Sequence, residues 1–364
     1  MLQNYYAARA PLNEIHSFCG ALTFMREKLN INYLISFVGG NTEPFLFSLI
    51  IMVMAFLIDL TLGEPPWRPP ISLHPTVLVN KFIVKVLPTF KSRNPKIEKA
   101  KGVLLVIVMI SLTTIITCTL LYIMRLINLV AYVIVASYIL KVTLCIKLET
   151  EMAHKAAAYI EERNLEKGRE LTSFFSRREM ENLNEKQMTS AIVESIAENL
   201  TDFKLSPIFY YAIFGVPGAV AFKAINILDG TVGFKDEEHI NVGWFSAMTD
   251  TIANFITSRI TALLIVLAAF ILREDYENAW KIMLRDRRKV PSINHGWQMA
   301  AIAGALNIQL EKPGIYTIGD KEEEISYHHI YKALKIRNVT ITLFILLIGI
   351  PLMFLSSLAL GFQI

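Results

Sequence analysis

Residues 103–124, VLLVIVMISLTTIITCTLLYIM, and residues 126–146, LINLVAYVIVASYILKVTLCI, are two long apolar runs separated only by Arg125. A helix of about 20 apolar residues crosses the roughly 30 Å hydrocarbon core of a bilayer. Residues 45–62 and 339–362 form apolar runs of similar length, and 53% of the whole chain is hydrophobic. These runs predict an all-α fold, a polytopic integral membrane helical bundle with four clear spans.

Two further apolar runs are interrupted. Residues 205–228 contain the sequence Gly215-Val216-Pro217-Gly218, and the first half of residues 251–272 carries polar side chains. A broken helix is tolerated at membrane depth only where protein or a wet cavity surrounds it, so each run is predicted to be an interrupted span or a re-entrant segment. If both runs cross the membrane fully, loop 230–249 lies on the opposite side of the membrane from the other loops. If both are re-entrant, loop 230–249 lies on the same side as the other loops.

The connecting loops are rich in lysine and arginine, in particular residues 63–101, 147–200 and 273–338. Because basic loops face the cytoplasm, we expect a multi-pass protein of the cell (plasma) membrane with its main loops and active site on that side. The mixed charges between residues 147 and 198 predict helical cytoplasmic loops with solvated faces.

The chain divides into two parts on composition. Residues 1–43 form an N-terminal extension with no assignable role, and residues 44–364 form the membrane-embedded domain. Within that domain, the second and third spans are expected to form a hairpin across Arg125.

An acidic stripe precedes the first interrupted run, in residues 194–202, ESIAENLTD. At 100° per residue, Glu194, Glu198 and Asp202 fall on one side of a helix. Carboxylates four residues apart repel by about 0.2–0.5 kcal/mol on an exposed helix. We therefore expect a divalent metal, a basic side chain or water to offset the repulsion.

The interrupted runs carry polar faces of their own. Lys223, Asn226 and Asp229 lie near one face of the first run. The second run has a polar stripe formed by Asp250, Asn254, Thr257, Ser258 and Thr261, with Arg259 on the other side. Ionisable groups inside a membrane segment face protein or water, so both faces predict a shared polar interior.

The last loop contains the basic stretch RDRRKVPSINHGW, residues 285–297. Arginines beside a Ser/Asn/Gly turn predict phosphate binding, and the alternative is a juxtamembrane cluster that holds anionic lipid. Asp59 lies at the end of the first span, and Glu64 and His74 follow it; interfacial anchoring is the alternative for the acid at the end of the span, and ordinary packing is the alternative for His74. The chain has no Walker-type loop and no dinucleotide fingerprint.

Several blocks of the sequence, taken in order, resemble the adenosylcobinamide-phosphate synthases, which are membrane proteins of cobalamin biosynthesis. The blocks are residues 59–66 with 74–75, 194–202 with 206–207, 226–235, Trp244 with 250–254 and Arg259, 285–297, and 310–316. They cover roughly residues 45–330. Two positions depart from the family pattern: Phe203 stands where glycine is usual, and His295 stands where a small residue is usual.

This resemblance implies an ATP-dependent amide ligation. The side-chain carboxylate of adenosylcobyric acid would be joined to the amine of aminopropanol phosphate or a related amino alcohol phosphate. Activation of the carboxylate as an acyl phosphate would need Mg²⁺ on oxygen ligands and cations over the phosphates. The expected cofactors are therefore Mg²⁺ and ATP.

The resemblance also implies residue roles. The catalytic acids would be Glu194, Glu198, Asp202 and Asp250. The Mg²⁺ ligands would be Glu194, Glu198, Asp202 and Asp229. The substrate- and phosphate-binding residues would be Asn199, Lys223, Asn226, Lys235, Asn254, Arg259, Arg285, Arg288, Ser292 and Asn294. Secondary candidates are Asp59, Glu64, His74 and Asp286.

Two other functions remain open on the sequence: a non-enzymatic membrane sensor related to the family, and a transporter of corrinoids or small anions. The sequence retains the acids, the amides and the Arg285–Asp286 pair, which favours the enzyme. The expected partners are the substrates, the lipid bilayer and other late cobalamin-pathway enzymes, with no nucleic acid among them.

Overall fold

A computed structural model describes residues 43–64, 74–176 and 178–360 of the chain. The N-terminal extension predicted for residues 1–43 lies outside this part, apart from its last residue. The helices that it contains are α1 (Glu43–Leu62), α2 (Pro75–Phe90), α3 (Pro95–Ile127), α4 (Leu129–Thr143), α5 (Lys147–Glu161), α6 (Leu165–Thr172), α7 (Glu185–Leu200), α8 (Ser206–Val232), α9 (Trp244–Ala253), α10 (Phe255–Leu272), α11 (Tyr276–Asp286), α12 (His295–Ala305), α13 (His328–Phe344) and α14 (Ile350–Leu360). Strands β1 (Leu310–Lys312) and β2 (Tyr316–Ile318) pair antiparallel.

Six helical segments of the described chain are long and apolar enough to cross a membrane. They are Pro44–Leu62, Pro95–Ile127, Leu129–Glu161, Glu185–Val232, Phe255–Leu272 and His328–Ala359. The runs at residues 45–62, 103–124 and 205–228 lie within these segments, and the runs at 126–146, 251–272 and 339–362 overlap them over most of their length. The prediction of a polytopic all-helical membrane protein is therefore confirmed.

The connection between α3 and α4 lies at Asn128, three residues after the position predicted. Helix α3 continues through Arg125 to Ile127, and Asn128 has an extended backbone with φ −173° and ψ 164°. The Asn128 side chain accepts a hydrogen bond from the Ala131 amide at 2.7 Å and so caps α4. A short polar side chain such as that of Asn128 can accept a hydrogen bond from a free amide at the start of a helix. The long side chain of Arg125, which carries only donors, cannot.

Helix α8 folds back on itself at Gly215. This residue has φ 67° and ψ −161°, a conformation open to glycine because it lacks a Cβ atom. The rings of Tyr210 and Phe222 stack at 5.2 Å, although twelve residues of straight helix would span about 18 Å. The predicted break is therefore present. Both ends of α8 lie on the same side of the bend, as expected for a re-entrant segment.

Helix α7 lies in the protein interior. It begins with a capping box formed by Asn184 and Gln187, and Met188 to Ala197 are all buried. Glu149 on α5 is also buried, with 1% of its surface exposed. The solvated helical face predicted for residues 147–198 is therefore wrong for α7 and for the inner side of α5, because the buried Glu194 and Glu149 pair with basic side chains of other segments.

A five-residue π-helical turn, Thr201–Leu205, joins α7 to α8. A π-turn adds one residue to the helical repeat, and such turns occur often at functional sites. Three polar side chains of this turn, Thr201, Asp202 and Lys204, are buried in the protein. The turn therefore carries charged side chains into the core at the point where α8 begins.

Candidate active site

Four carboxylates on different elements converge to form what we term the acidic cluster, Glu198, Asp202, Asp229 and Asp250. Asp202 interacts electrostatically with each of the other three. Glu198 lies in the last turn of α7, Asp202 lies in the π-turn, Asp229 lies on the returning arm of α8, and Asp250 lies on α9. The bend in α8 brings Asp229 back beside the π-turn, so the separate polar faces predicted from the sequence do meet.

His295, the first residue of α12, faces the acidic cluster. Its Nε2 lies 3.2 Å from Asp202 Oδ2, and its Nδ1 lies 3.8 Å from Glu198 Oε1. Burial lowers the pKa of this imidazole, but the carboxylates of Asp202 and Glu198 outweigh burial and raise it to about 10. We therefore expect His295 to carry a positive charge at neutral pH. It is the basic side chain expected to offset the acidic stripe, although the sequence did not identify it.

The Asp250 side chain is buried, with 8% of its surface exposed. Burial raises its pKa, and the neighbouring Asp202 and Asp229 raise it further. The Asn254 amide donates to Asp250 Oδ2 at 3.2 Å. Asp250 Oδ1 and Asp202 Oδ1 are both buried without a hydrogen-bond partner among the described residues. Such oxygens are available to a cation, a substrate proton or water.

The polar stripe of α10 packs against the start of α8. The Ser206 hydroxyl donates to Asn254 Oδ1 at 2.6 Å and lies 2.6 Å from the Thr257 hydroxyl. Thr201 donates to Thr261 at 3.2 Å. These fully buried contacts fix Asn254, which in turn orients Asp250. The predicted inward orientation of the stripe is confirmed.

Glu194 has a different environment from the other acids of its stripe. Arg178 and Tyr316 each donate to Oε2 at 2.5 Å, and the Ser190 hydroxyl donates to Oε1 at 2.6 Å. Ser190 also accepts the Glu311 amide at 2.8 Å. Glu194 therefore ties the β-hairpin to α7, and protein donors already satisfy both of its carboxylate oxygens.

The fit of Mg²⁺ depends on how many protein ligands it needs. Residues 43–64, 74–176 and 178–360 contain no group of three or more Asp, Glu, His or Cys side chains arranged around one metal position. Mg²⁺ commonly binds through one or two carboxylates together with water and substrate phosphates. The unpartnered oxygen of Asp202, with Asp229 in electrostatic range, fits that smaller requirement.

The remaining predicted binding residues are dispersed. Asn199 donates to Glu149 at 3.0 Å and to Ser195 at 3.1 Å. The Lys223 ammonium lies 4.0 Å from the centre of the Phe203 ring and in electrostatic range of Asp202. Asn226 is half-buried on the same arm of α8, and Lys235 is exposed in the loop before α9.

A separate pocket of about 510 Å³ contains three arginines, and we term it the arginine pocket. Its lining residues are Phe255, Arg259, Arg287, Arg288, Val290, Pro291, Ser292, Ile293 and Trp297. Arg259 donates to Asn294 Oδ1 at 2.5 Å, and Asn294 donates to the Thr251 carbonyl at 2.9 Å. The Ser292 hydroxyl accepts the His295 amide at 3.2 Å and caps α12.

Arg285 lies outside this pocket and is neutralised. It donates to Asp286 at 2.7 and 2.8 Å and to Asp320 at 2.8 and 2.9 Å. Burial raises the pKa of Asp286, but hydrogen bonds from Arg285, Lys289 and the Gly319 amide lower it to about 2. The pair therefore links the end of α11 to the β-hairpin and leaves Arg285 no free donor face for phosphate.

The secondary candidates of the first loop form their own cluster. Glu64 accepts from Lys141 at 2.7 Å and lies 2.8 Å from His74 Nε2. Asp59 accepts the amides of Ile146 and Lys147 at 3.3 and 3.1 Å. These contacts join the ends of α1, α2 and α4, and Glu64 reaches Lys223 electrostatically.

One buried network escaped the sequence prediction. Glu149 forms ion pairs with Lys204 at 2.8 Å and with Arg337 at 2.7 Å, and all three side chains are almost fully buried. The charges lie on α5, the π-turn and α13. The only signal in the sequence was a lysine and an arginine at the edges of apolar runs, where a buried cation requires an acid nearby.

Comparisons with known proteins identify the family of this chain. A family model described as "CobD/Cbib protein" matches residues 52–343. The "Probable cobalamin biosynthesis protein CobD" of Methanothermobacter thermautotrophicus is 34% identical over 296 residues, which cover 81% of this chain and 95% of that protein. The "Probable cobalamin biosynthesis protein CobD" of Methanocaldococcus jannaschii is 35% identical over 306 residues, which cover 82% of this chain and 96% of that protein.

A bacterial relative extends the similarity. The "Cobalamin biosynthesis protein CobD" of Geobacter metallireducens is 34% identical over 278 residues, covering 74% of this chain and 86% of that protein. No solved structure matches the chain. On the extent of the family match and of these relatives, the chain belongs to the CobD/CbiB protein family.

Proposed function

We propose that this chain acts in cobalamin biosynthesis as an ATP-dependent amide ligase. It joins the side-chain carboxylate of adenosylcobyric acid to the amine of aminopropanol phosphate or a related amino alcohol phosphate. The observation that carries the proposal is the convergence of the acidic cluster on Asp202, with two buried carboxylate oxygens left unpartnered. The names of the relatives support the pathway, and the resemblance of the sequence blocks supports the substrates.

The reaction needs an activated carboxylate, because a carboxylate ion is a poor electrophile. Transfer of the γ-phosphoryl group of ATP to the carboxylate oxygen forms an acyl phosphate and releases ADP. The amine nitrogen then attacks the carbonyl carbon, orthophosphate leaves, and the nitrogen loses a proton. The product is an amide.

Asp202 and Asp229 are the residues that would hold Mg²⁺, together with phosphate oxygens of the nucleotide. When bound, the ion supplies charge neutralisation at those oxygens. His295 holds Asp202 and Glu198 in place through its contacts at 3.2 and 3.8 Å. The cationic imidazole also lessens repulsion between the acids and the incoming phosphates.

Asp250 is the group that takes the proton from the attacking amine. A general base works best when its pKa lies near the working pH, and burial raises the pKa of this carboxylate in that direction. Asn254 occupies Oδ2, which leaves Oδ1 for the proton. Asp250→Asn removes the base while keeping the shape of the side chain.

The chemistry uses water-soluble nucleotide and amine, so the site opens to the cytoplasm from the plasma membrane. The basic loops and the fold-back of α8 support this orientation. The location also suits transfer of corrinoid between membrane-associated enzymes of the late pathway.

Purified protein in detergent, with corrinoid, amine, ATP and Mg²⁺, provides the test. We expect amide product by mass spectrometry, and none when any component is omitted. Asp202→Asn and Asp250→Asn should abolish ligation while the protein stays folded, and Glu151→Ala, on an exposed face of α5, should keep it. Wild-type activity in Asp202→Asn or Asp250→Asn contradicts the proposal. Corrinoid uptake by vesicles without ATP consumption would support a transporter instead.

A further inference from the structure

The arginine pocket concentrates positive charge that the protein does not neutralise. In the described parts of the chain, Arg259, Arg287 and Arg288 form no ion pair with an aspartate or glutamate, whereas the neighbouring Arg285 and Lys289 both bind Asp286. The hydrogen bonds of Arg259 go to neutral oxygens, such as Asn294 Oδ1 and the Phe255 carbonyl. Three unpaired guanidinium groups around one cavity predict an anionic ligand.

Aromatic rings hold two of the guanidinium planes in fixed positions. Arg259 lies 3.7 Å from the centre of the Phe255 ring and 5.3 Å from that of Trp297. Arg287 lies 4.9 Å from the Trp297 ring. Stacking on a ring face leaves the edges of a guanidinium, which carry the N–H donors, open to hydrogen bonds, and among the described residues those of Arg259 and Arg287 reach only neutral oxygens of the protein. The pocket is therefore organised before a ligand arrives.

The residues of the pocket favour a phosphate bound without metal over the phosphates of a magnesium-bound nucleotide. A magnesium-bound nucleotide commonly has one or two carboxylates beside its phosphates, and no aspartate or glutamate lines this pocket. The acids lie instead in the acidic cluster, across Asn294 and His295. Asn294 contacts Arg259, while the next residue, His295, contacts Asp202. The two compartments thus separate a metal-dependent phosphate site from a metal-free one.

We propose that the arginine pocket binds the phosphate group of the amine substrate without metal, while the nucleotide phosphates bind at the acidic cluster. This inference rests on the proposed function for the identity of the amine. The ligand class is a phosphate monoester with an ammonium group at its other end. That ammonium matches the negative potential of the neighbouring acids, so the polarity of the two compartments orients the substrate.

Binding of aminopropanol phosphate, measured by calorimetry on detergent-solubilised protein, tests the assignment. Arg288 is exposed, so Arg288→Gln removes a charge with little effect on packing. Loss of a charge-assisted phosphate contact should weaken binding about 10-fold or more. The matched control Lys281→Gln removes an exposed positive charge from α11, outside the pocket, and should leave the affinity unchanged. Affinity for unphosphorylated aminopropanol should be the same in wild type and Arg288→Gln.

Other outcomes would overturn the assignment. A loss of affinity for magnesium ATP in Arg288→Gln, with unchanged affinity for aminopropanol phosphate, would make the pocket a nucleotide site. Loss of co-purified anionic phospholipid, again with unchanged affinity for the amine, would make it a lipid headgroup site. If wild-type protein forms no amide but Arg288→Gln still loses affinity for aminopropanol phosphate, the proposed ligation fails and the phosphate site stands.

Discussion

The buried charge network of Glu149, Lys204 and Arg337 makes a strong prediction about stability. Glu149→Gln keeps the size of the side chain but leaves two cations in a region where each is almost fully buried. Both cations form ion pairs with Glu149, at 2.8 Å for Lys204 and 2.7 Å for Arg337. Removing one partner of a buried pair costs about 3–5 kcal/mol, because the remaining charge loses its compensation. We expect a loss of stability in this range.

Glu151 provides a matched control on the same helix. Its side chain is 49% exposed and lies 3.9 Å from Lys147, so Glu151→Gln should cost about 0.5 kcal/mol or less. The double variant Glu149→Gln/Lys204→Met removes one of the orphaned cations and should recover part of the loss. Chemical unfolding in detergent, followed by circular dichroism, gives the three values. A cost for Glu149→Gln within 1 kcal/mol of the Glu151→Gln cost would refute the reasoning.

Three further changes test the packing around the site. Hydrogen bonds lower the pKa of Asp286 to about 2 against the opposing effect of burial, so its stabilisation is complete above about pH 4 and is lost as the pH falls toward 2. Asp286→Asn should therefore cost about 1–2 kcal/mol at neutral pH and little near pH 2; a difference that does not shrink on acidification would contradict this. Tyr316→Phe removes a donor to Glu194 and should cost about 1 kcal/mol in unfolding experiments, and an unchanged midpoint would speak against that contact. Gly102→Ala places a Cβ atom 2.2 Å from the Val242 carbonyl oxygen and should destabilise the protein by about 1–3 kcal/mol. Gly230→Ala, whose Cβ atom would meet nothing within 4 Å, should not destabilise it. Equal unfolding midpoints for the two variants would argue against the close approach at Gly102.

The membrane fold could be predicted because apolar length is a local property of the chain. The runs at residues 103–124 and 126–146 are long enough to span a bilayer whatever surrounds them. The break at Gly215 was also visible, since glycine and proline together interrupt a helix. The direction of the chain after that break was not visible, because it depends on the contact between Tyr210 and Phe222.

Part of the candidate site could also be predicted from the sequence. Glu198, Asp202 and Asp250 could be proposed because acids inside apolar surroundings need a function or a partner. The pairing of Asp202 with His295 spans 93 residues, and that of Glu149 with Arg337 spans 188, so neither leaves a local pattern. Arg285 looked suitable for phosphate because Asp320, which neutralises it, lies far along the chain.

The most direct test of the proposed ligation follows the oxygen atoms of the activated carboxylate. Adenosylcobyric acid labelled with ¹⁸O in its reacting carboxylate is incubated with wild-type protein, ATP, Mg²⁺ and aminopropanol phosphate, and the orthophosphate is analysed by mass spectrometry. An acyl phosphate transfers one carboxylate oxygen to the leaving phosphate, so one ¹⁸O atom should appear in orthophosphate for each amide formed. Amide formation with no ¹⁸O in orthophosphate would contradict carboxylate activation by the γ-phosphoryl group.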